Sequence, residues 1–385
     1  MILEIAWTTF IGSIVYGSTP YVWKGMQKST QNSKLRKAFI NGELYRKEKD
    51  SKIKVKPNII NTKINDKKMT FVFSIPKGVN PDDFIKKAYV FKQHFNDYID
   101  LKVENKRGIL NVYPKGLPTK FNYAYQVLSH RLPIMCGRSL EGSMFSFDLV
   151  ENPHMLVAGE TGSGKSSALR SILTTLIKSK NPDELRLLLG DLKRSEFHLF
   201  KKIEHVDGVY HSAGDIGLPL MKVKKEMMRR GDMLDEAEVN SIDELPNKPP
   251  YIIVCIDEVA LLKKEHDIMD ILEEISSIGR SLGVFLILSM QRPDAQLLDG
   301  KLKVNLTVRM GFKTADKINS KIIGTPGSEE LDIPGRMLLR INSHLQEIQA
   351  PLLENNIAKK LLEPYKKSNV VQFQKEPDIM ELFKE

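Results

Sequence analysis

Beyond residue 130, short apolar segments alternate with longer segments in which apolar residues recur at helical spacing. Six of the short segments are predicted to be strands: residues 154–158, 185–190, 251–256, 284–289, 307–311 and 337–340. Their apolar residues run without alternation, which is typical of parallel strands covered on both faces. The pattern therefore predicts an α/β domain with a mostly parallel sheet over residues 131–364.

A smaller α/β domain is predicted over residues 67–130. Residues 69–75 have the pattern of a strand, and Pro81 begins a helix that is predicted to run to residue 98 with acidic residues in its first turn. Residues 101–113 are predicted to form a β-hairpin. This domain carries no pattern of catalytic residues.

The first residues contain an uncharged segment, residues 5–23, that would be about 28 Å long as a helix. Trp7 and Trp23 lie near its ends, and lysines follow. Only 11 of its 19 residues are apolar, so it fits either a single membrane anchor within residues 1–23 or an amphipathic helix. Residues 24–66 predict a basic linker with some helix, and residues 365–385 a short tail.

Charge is distributed unevenly along the chain. Residues 1–150 contain 25 Lys and Arg against 12 Asp and Glu, whereas the remaining residues contain 33 against 36. This asymmetry indicates a polyanionic partner, either nucleic acid or an anionic membrane surface. Two cysteines, Cys136 and Cys255, cannot form a disulfide framework, which indicates a reducing, cytoplasmic environment.

A phosphate-binding loop follows the first predicted strand of the larger domain. Residues 159–166 fit the pattern G-x-x-x-x-G-K-[ST], and a helix-forming segment comes next. Glycines allow the backbone N–H groups to surround phosphates, Lys165 reaches the β- and γ-phosphates, and Ser166 offers its hydroxyl to Mg²⁺. The predicted nucleotide-binding residues are Gly159, Glu160, Thr161, Gly162, Ser163, Gly164, Lys165, Ser166 and Ser167. The loop therefore predicts binding of a nucleoside triphosphate with Mg²⁺.

Two later strands end in polar residues that suit hydrolysis. The apolar segment 252–256 is followed by Asp257, a predicted Mg²⁺ ligand, and by Glu258, a predicted general base for water. Gln291 follows the next strand and is predicted to sense the γ-phosphate. Carboxyl ends of strands are where ligands bind in open α/β sheets.

Several motifs occur together in one order, and their sequence resembles the FtsK/SpoIIIE family of DNA-translocating ATPases over roughly residues 140–345. The motifs are the phosphate-binding loop, Asp191–Lys193, Glu226–Arg230, Asp257-Glu258, Gly279–Gly283, Ser289–Pro293, Arg309–Phe312, Asp316–Lys321 and Pro334–Leu338. The resemblance implies a RecA-like P-loop motor that forms a homohexamer and moves double-stranded DNA by ATP hydrolysis.

The compact chain looks more like the FtsK-like coupling ATPases of conjugative plasmids and integrative elements, which implies relaxase and secretion-channel partners at the cytoplasmic face of the membrane. The chain departs from the large family members because nothing after residue 345 is long enough for their winged-helix domain. Two alternatives remain open: an FtsK-like ATPase that drives protein secretion, and a nucleotide-dependent DNA partition or replication factor.

The resemblance also points to an arginine that acts on a neighbouring subunit. Arg309 is the first candidate by its match to the family pattern, and Arg280 is the second. Candidate DNA contacts, which need to grip phosphates without reading bases, are Lys193, Arg194, Lys201, Lys202, Lys301 and Lys303.

Overall fold

The computed structural model describes residues 27–47, 54–296, 298 and 301–367, and these form two compact units. The first unit extends to Leu117 and includes Leu140–Ser143, and the second comprises Pro118–Ser139 and the described residues from Met144 onward. The predicted N-terminal helix over residues 5–23 lies outside the described residues. Among the residues that are described, no helix combines the length and hydropathy needed to cross a bilayer.

The first unit is an antiparallel sheet with helices. Helix α1 covers residues 27–41, and α2 (Pro81–Lys86) and α3 (Ala88–His94) are short. Strands β1 (Arg46–Lys47) and β2 (Lys54–Val55) form a separate pair. The four-stranded sheet has the order β3-β4-β6-β5, from β3 (Asn58–Ile64), β4 (Met69–Ser74), β5 (Ile99–Glu104) and β6 (Arg107–Val112).

The structure differs from two predictions for this unit. The predicted linker over residues 24–66 contains α1 and β3, because α1 buries Leu35 and Phe39, whose ring centroid lies 5.0 Å from that of Phe73. The predicted helix over residues 81–98 is divided into α2 and α3. Lys87 lies between them, and its ammonium donates a hydrogen bond to the carbonyl of Gly42 over 2.8 Å.

The second unit is built on a ten-stranded mixed sheet of order β11-β10-β12-β13-β9-β14-β15-β16-β7-β8. Its strands are β7 (Pro133–Ser139), β8 (Met144–Asp148), β9 (Met155–Ala158), β10 (Leu185–Asp191), β11 (Val206–Tyr210), β12 (Tyr251–Asp257), β13 (Val284–Met290), β14 (Val308–Gly311), β15 (Arg336–Ile341) and β16 (His344–Gln349). Its helices are α4 (Lys165–Ser179), α5 (Ala213–Ala237), α6 (His266–Ile278), α7 (Lys301–Asn305), α8 (Lys317–Ile323) and α9 (Asn355–Leu362).

The six strands from β11 to β14 are parallel, and their registers align the carboxyl ends. Asp191 pairs with Asp257 across β10 and β12, and Met290 pairs with Ala158 across β13 and β9. Strand β13 thus lies between β9, which leads into the phosphate-binding loop, and β12, which ends in Asp257. The carboxyl ends of β9, β10, β12 and β13, which precede the predicted site residues, therefore lie along one edge of the sheet.

The α/β architecture is as predicted, but the sheet is mixed because β15, β16, β7 and β8 are antiparallel. The six predicted strands are present as β9, β10, β12, β13, β14 and β15. Strands β7, β8, β11 and β16 were not predicted. Strands β11 and β16 are partly exposed and contain Asp207, Gln346 or Glu347 within them, which interrupts the apolar pattern. The domain boundary predicted at residues 130/131 falls at 117/118 in the structure.

Candidate nucleotide-binding site

The phosphate-binding loop joins β9 to α4. Gly162 and Gly164 have φ angles of 82° and 104°, which glycine adopts without the steric cost that a Cβ brings. Gly164 is the N-cap of α4, so the loop ends at the positive end of that helix dipole. This is the arrangement that binds phosphate groups through backbone N–H donors.

Neighbouring segments hold the loop in place. The amide of Glu160 donates to the carbonyl of Lys313 over 2.9 Å, and the amide of Gly335 donates to the carbonyl of Ser163 over 2.8 Å. A Cβ on Gly164 would lie 2.5 Å from the nitrogen of Gly335. The loop and residue 335 therefore approach each other as closely as two backbones can.

Lys165, Asp257 and Ser289 form a buried polar triangle. The ammonium of Lys165 lies 2.7 Å from Oδ1 of Asp257 and 2.7 Å from Oγ of Ser289. The Ser289 hydroxyl in turn donates to Oδ1 of Asp257 over 2.8 Å. The predicted phosphate-binding cation and the predicted metal ligand are thus in contact.

A carboxylate that the sequence analysis did not identify contacts Ser166. The hydroxyl of Ser166 donates to Oε1 of Glu196 over 2.5 Å. Burial raises the pKa of Glu196, and the hydrogen bond from Ser166 opposes this effect. Glu196 follows the quoted Asp191–Lys193 motif by three residues, and this proximity is the one sequence signal that could have drawn attention to it.

Glu258 begins the turn after β12 with a φ of 58°, a left-handed conformation. Its carboxylate oxygens accept the N–H of Gln291 at 3.3 and 3.2 Å, and Oε2 also accepts the ammonium of Lys193 at 2.8 Å. The described contact of Gln291 with the site is therefore made by its backbone. The residues predicted to hydrolyse ATP, apart from Arg309, lie at the edge described above.

Ser167 faces a cavity beside the loop. Its hydroxyl donates to the carbonyl of Pro351 over 3.2 Å and accepts the amide of Leu353 over 2.8 Å. The amide of Leu352 donates to the carbonyl of Phe121 over 2.6 Å. These bonds fix the wall of a cavity of about 270 Å³ that also reaches Gly164 and Gln349.

The donor set fits a nucleoside triphosphate with Mg²⁺. The loop offers left-handed glycines and a helix N-terminus, and Lys165 supplies a cation that is 4% exposed. A second cavity of about 260 Å³ is lined by Glu160, Thr161, Gly162 and Ser163. A hydroxyl from Ser166 and a carboxylate from Asp257 are oxygen ligands of the kind that Mg²⁺ takes beside phosphates.

The two candidate arginines differ in their surroundings. The guanidinium of Arg309 donates to the carbonyls of Lys303, Leu306 and Ile323 over 2.8, 3.3 and 3.2 Å. Burial lowers the pKa of Arg309. Arg280 is exposed, and its Nε donates to the carbonyl of Val150 over 3.2 Å. The guanidinium of Arg309 therefore stabilises the segments around β14, whereas Arg280 is exposed apart from its bond to Val150.

The candidate DNA contacts are also in varied positions. Arg194, Lys201 and Lys202 are exposed. Lys193 is paired with Glu258, and the carbonyl of Lys303 accepts a bond from Arg309. Lys301 begins α7.

Comparison with known proteins agrees with the resemblance seen in the sequence. Residues 122–248 match the FtsK/SpoIIIE family. The chain is 32% identical over 279 residues to the DNA translocase FtsK of Borreliella burgdorferi, which covers 66% of this chain and 35% of that protein. It is 33% identical over 297 residues to the DNA translocase FtsK of Helicobacter pylori strain 26695, which covers 73% of this chain and 34% of that protein. The chain thus spans about a third of the length of these relatives.

Solved structures share the fold. The pCW3 conjugation coupling protein TcpA, in a monomer form with ATPγS, matches with a TM-score of 0.61 and 22% identity, covering 88% of this chain and all of that one (100%). EssC from Geobacillus thermodenitrificans matches with a TM-score of 0.59 and 22% identity, covering 65% of this chain and 51% of that one. The predicted resemblance is confirmed: the chain carries a domain of the FtsK/SpoIIIE family over residues 122–248.

Proposed function

We propose that this chain is an ATP-driven translocase of double-stranded DNA, with its motor in the second unit. The observation that carries this proposal is the convergence of Lys165, Asp257 and Glu258 beside a left-handed glycine loop. The motor has a RecA-like core; it was predicted over residues 131–364, and the second unit that contains it begins at Pro118. The small domain predicted over residues 67–130 precedes it.

The reaction is ATP hydrolysis. Lys165 binds the β- and γ-phosphates, while the loop amides orient them for attack. Glu258 accepts a proton from the water that attacks the γ-phosphorus, and the bond to the β–γ bridging oxygen breaks, which releases ADP and inorganic phosphate. Gln291 senses the γ-phosphate. Ser166 and Asp257 would hold Mg²⁺, which when bound neutralises phosphate charge.

The base of the nucleotide is assigned to the cavity beside Ser167. This cavity approaches the lower end of the range of about 300–1,000 Å³ that is usual for small-molecule pockets. It is reached from the loop at Gly164, and Phe121 supplies an aromatic ring to its wall. The base would therefore lie beside Gly164 and Ser167.

The substrate of translocation is assigned as double-stranded DNA because relatives that are 32% and 33% identical to this chain are named DNA translocases. Exposed Arg194, Lys201 and Lys202 can bind phosphates in any sequence context. A conjugation coupling protein shares the fold over 88% of the chain, which supports a role in conjugative or mobile-element transfer. Relaxase and secretion-channel proteins would then be partners, with attachment to the cytoplasmic face of the membrane through the N-terminus.

A homohexameric ring would complete the site with an arginine from the adjacent subunit. Arg280 suits this role better than Arg309, because the guanidinium of Arg309 donates hydrogen bonds to three carbonyls of its own chain. Arg280 is exposed and precedes β13, so it lies toward the end of that strand opposite Met290. Arg280 is therefore proposed as the arginine that acts on the neighbouring subunit, ahead of Arg309.

The proposal is tested by measuring ATP turnover of the full chain with and without long double-stranded DNA, using Lys165→Ala as the control for contaminating ATPases. Turnover that rises with DNA, is lost in the control and displaces a triplex-forming strand supports the motor. Turnover with DNA stimulation but no displacement supports the partition or replication factor instead. Turnover that DNA does not change, under conditions where the ring assembles, overturns the proposal in favour of the protein-secretion ATPase.

A further inference from the structure

The proposed general base is already engaged in this structure. Oε2 of Glu258 lies 2.8 Å from the ammonium of Lys193, and the two side chains are 7% and 34% exposed. A charge-assisted bond at a mostly buried carboxylate is stronger than a surface ion pair. With the N–H of Gln291 on the same carboxylate, the oxygens that would accept a proton from water are occupied.

Lys193 belongs to a short loop that a buried carboxylate holds. Asp191 is fully buried, and its side chain accepts the amides of Ser195, Glu196 and Phe197 at distances between 2.9 and 3.3 Å. Since Asp191 pairs in register with Asp257, the loop leaves the sheet beside β12, which ends at Asp257 and is followed directly by Glu258. Its position is therefore set by the sheet itself.

The same loop makes two contacts of opposite charge with the site. Lys193 places a cation on Glu258, and Glu196 places a carboxylate on the hydroxyl of Ser166. Between them, Arg194 is exposed and left-handed, with a φ of 59°. The loop thus contacts Glu258 and Ser166, while the side chain of Arg194 is exposed to solvent.

We propose that Lys193 is a positioning residue that holds Glu258 in a resting orientation, and that phosphates of the DNA backbone release Glu258 by competing for the Lys193 ammonium. This inference rests on the proposed function. DNA phosphates that contact Arg194 compete with Glu258 for the neighbouring Lys193 ammonium. The long, flexible side chain of Lys193 allows its charge to move from one anion to the other. Freed from that bond, Glu258 can accept the proton of water.

The test compares ATP turnover of full-length Lys193→Met and wild type, each with and without long double-stranded DNA. Lys222→Met is the matched control, since Lys222 is exposed on α5. We expect Lys193→Met to raise the DNA-free kcat on the order of tenfold, to leave KM for ATP nearly unchanged and to lose most of its DNA stimulation. Lys193→Arg should restore the low basal rate, and Lys222→Met should behave as wild type.

A basal kcat that stays at the wild-type value in a folded Lys193→Met variant that binds nucleotide would overturn the inference, because releasing Glu258 would then have no effect. Loss of DNA stimulation alone, with the basal rate unchanged, would make Lys193 a DNA contact and also overturn it. If wild type itself ignores DNA while Lys193→Met still raises the basal rate, the resting contact stands and the proposed substrate fails.

A variant that does not fold is covered by a second measurement. Melting temperatures are measured for wild type, Lys193→Gln, Glu258→Gln and the double variant, which together form a double-mutant cycle. Coupling between the two positions in the DNA-free protein, reduced when saturating DNA is present, supports the contact and its release. Equal coupling with and without DNA would contradict release by DNA.

Discussion

Lys165, the first residue of α4, and Asp257, the last residue of β12, form a buried ion pair with Nζ 2.7 Å from Oδ1. Their side chains are 4% and 2% exposed. The predicted phosphate-binding cation and the predicted metal-binding carboxylate therefore neutralise each other across 92 residues of sequence. A bound triphosphate would have to share Lys165 with Asp257, so nucleotide binding and the stability of this pair are linked.

Breaking the pair from either side should cost stability. Lys165→Met leaves the carboxylate of Asp257 buried without its cation, and we expect a loss of about 3 kcal/mol in the free energy of unfolding. Asp257→Asn leaves the ammonium of Lys165 buried without its carboxylate partner, and we expect a similar loss. The double variant should lose less than the sum of the single losses in urea denaturation. Simple additivity of the two losses would contradict coupling.

Two glycines of the loop offer a matched comparison. Gly162→Ala meets no atom within 4 Å, so its cost is the left-handed conformation alone, about 1–2 kcal/mol. Gly164→Ala carries that cost and also forces a Cβ to 2.5 Å from the Gly335 nitrogen. We expect Gly164→Ala to abolish binding of a fluorescent ATP analogue and Gly162→Ala to weaken it. Equal affinities in the two variants would show that the contact with Gly335 relaxes.

His154 should make the second unit sensitive to acid. Burial lowers the pKa of His154 from 6.5 to about 4, while its Nδ1 accepts the amide of Leu286 over 3.1 Å. Between these two values the unfolded chain binds a proton that the folded chain does not. Stability is therefore complete above about pH 6.5 and is lost as the pH falls toward 4, by about 3 kcal/mol in all.

The measurement is urea denaturation of wild type and His154→Asn at several values between pH 4 and 7. Asparagine tolerates the left-handed backbone of residue 154, where φ is 58°. Carboxylates titrate in both proteins, so the difference between the two curves isolates the imidazole. A difference that does not change with pH would show that His154 is protonated without unfolding.

Arg280 and Arg309 should separate catalysis from stability. Arg309→Ala removes the donors of three backbone carbonyls, and we expect it to lower the melting temperature of the second unit. Arg280→Ala should leave the melting temperature nearly unchanged but lower kcat of the assembled protein by roughly 10³-fold. Mixing Arg280→Ala with Lys165→Ala protein should restore part of the turnover if the arginine acts across subunits. No restoration would contradict a role across subunits.

Much of the site was predictable because its chemistry is local in sequence. The glycine loop, Lys165 and Ser166 lie in one segment, and Asp257-Glu258 ends a continuous apolar strand. Glu196 was not predictable, since a glutamate in a polar loop has no distinctive pattern. Glu196 reaches Ser166 because β10 pairs in register with β12 and because the Asp191 carboxylate accepts a hydrogen bond from the Glu196 amide.

Some motifs that support the family resemblance have structural roles. Arg230 is 1% exposed, and its guanidinium donates to Glu226 and to the carbonyls of Pro250 and Leu282, just before β12 and β13. Burial lowers the pKa of Arg230, whereas its partner Glu226 has its pKa lowered to about 2, chiefly by the hydrogen bond from Arg229. A basic residue in a polar helix predicts exposure, so its burial required the structure.

The bonds made by Ser167 have a practical meaning for anyone who shortens this chain. Together with the hydrogen bond from the Leu352 amide to the Phe121 carbonyl, they join a segment near residue 121, a turn of α4 and a segment near residue 352 into one wall. A fragment that begins at residue 131 would keep every residue of the phosphate-binding loop and yet lose Phe121 and the amide partner that orders Leu352. From the proposed assignment of the base to this cavity, we expect such a fragment to bind phosphates but to discriminate poorly among bases, and a fragment that begins at Pro118 to do both.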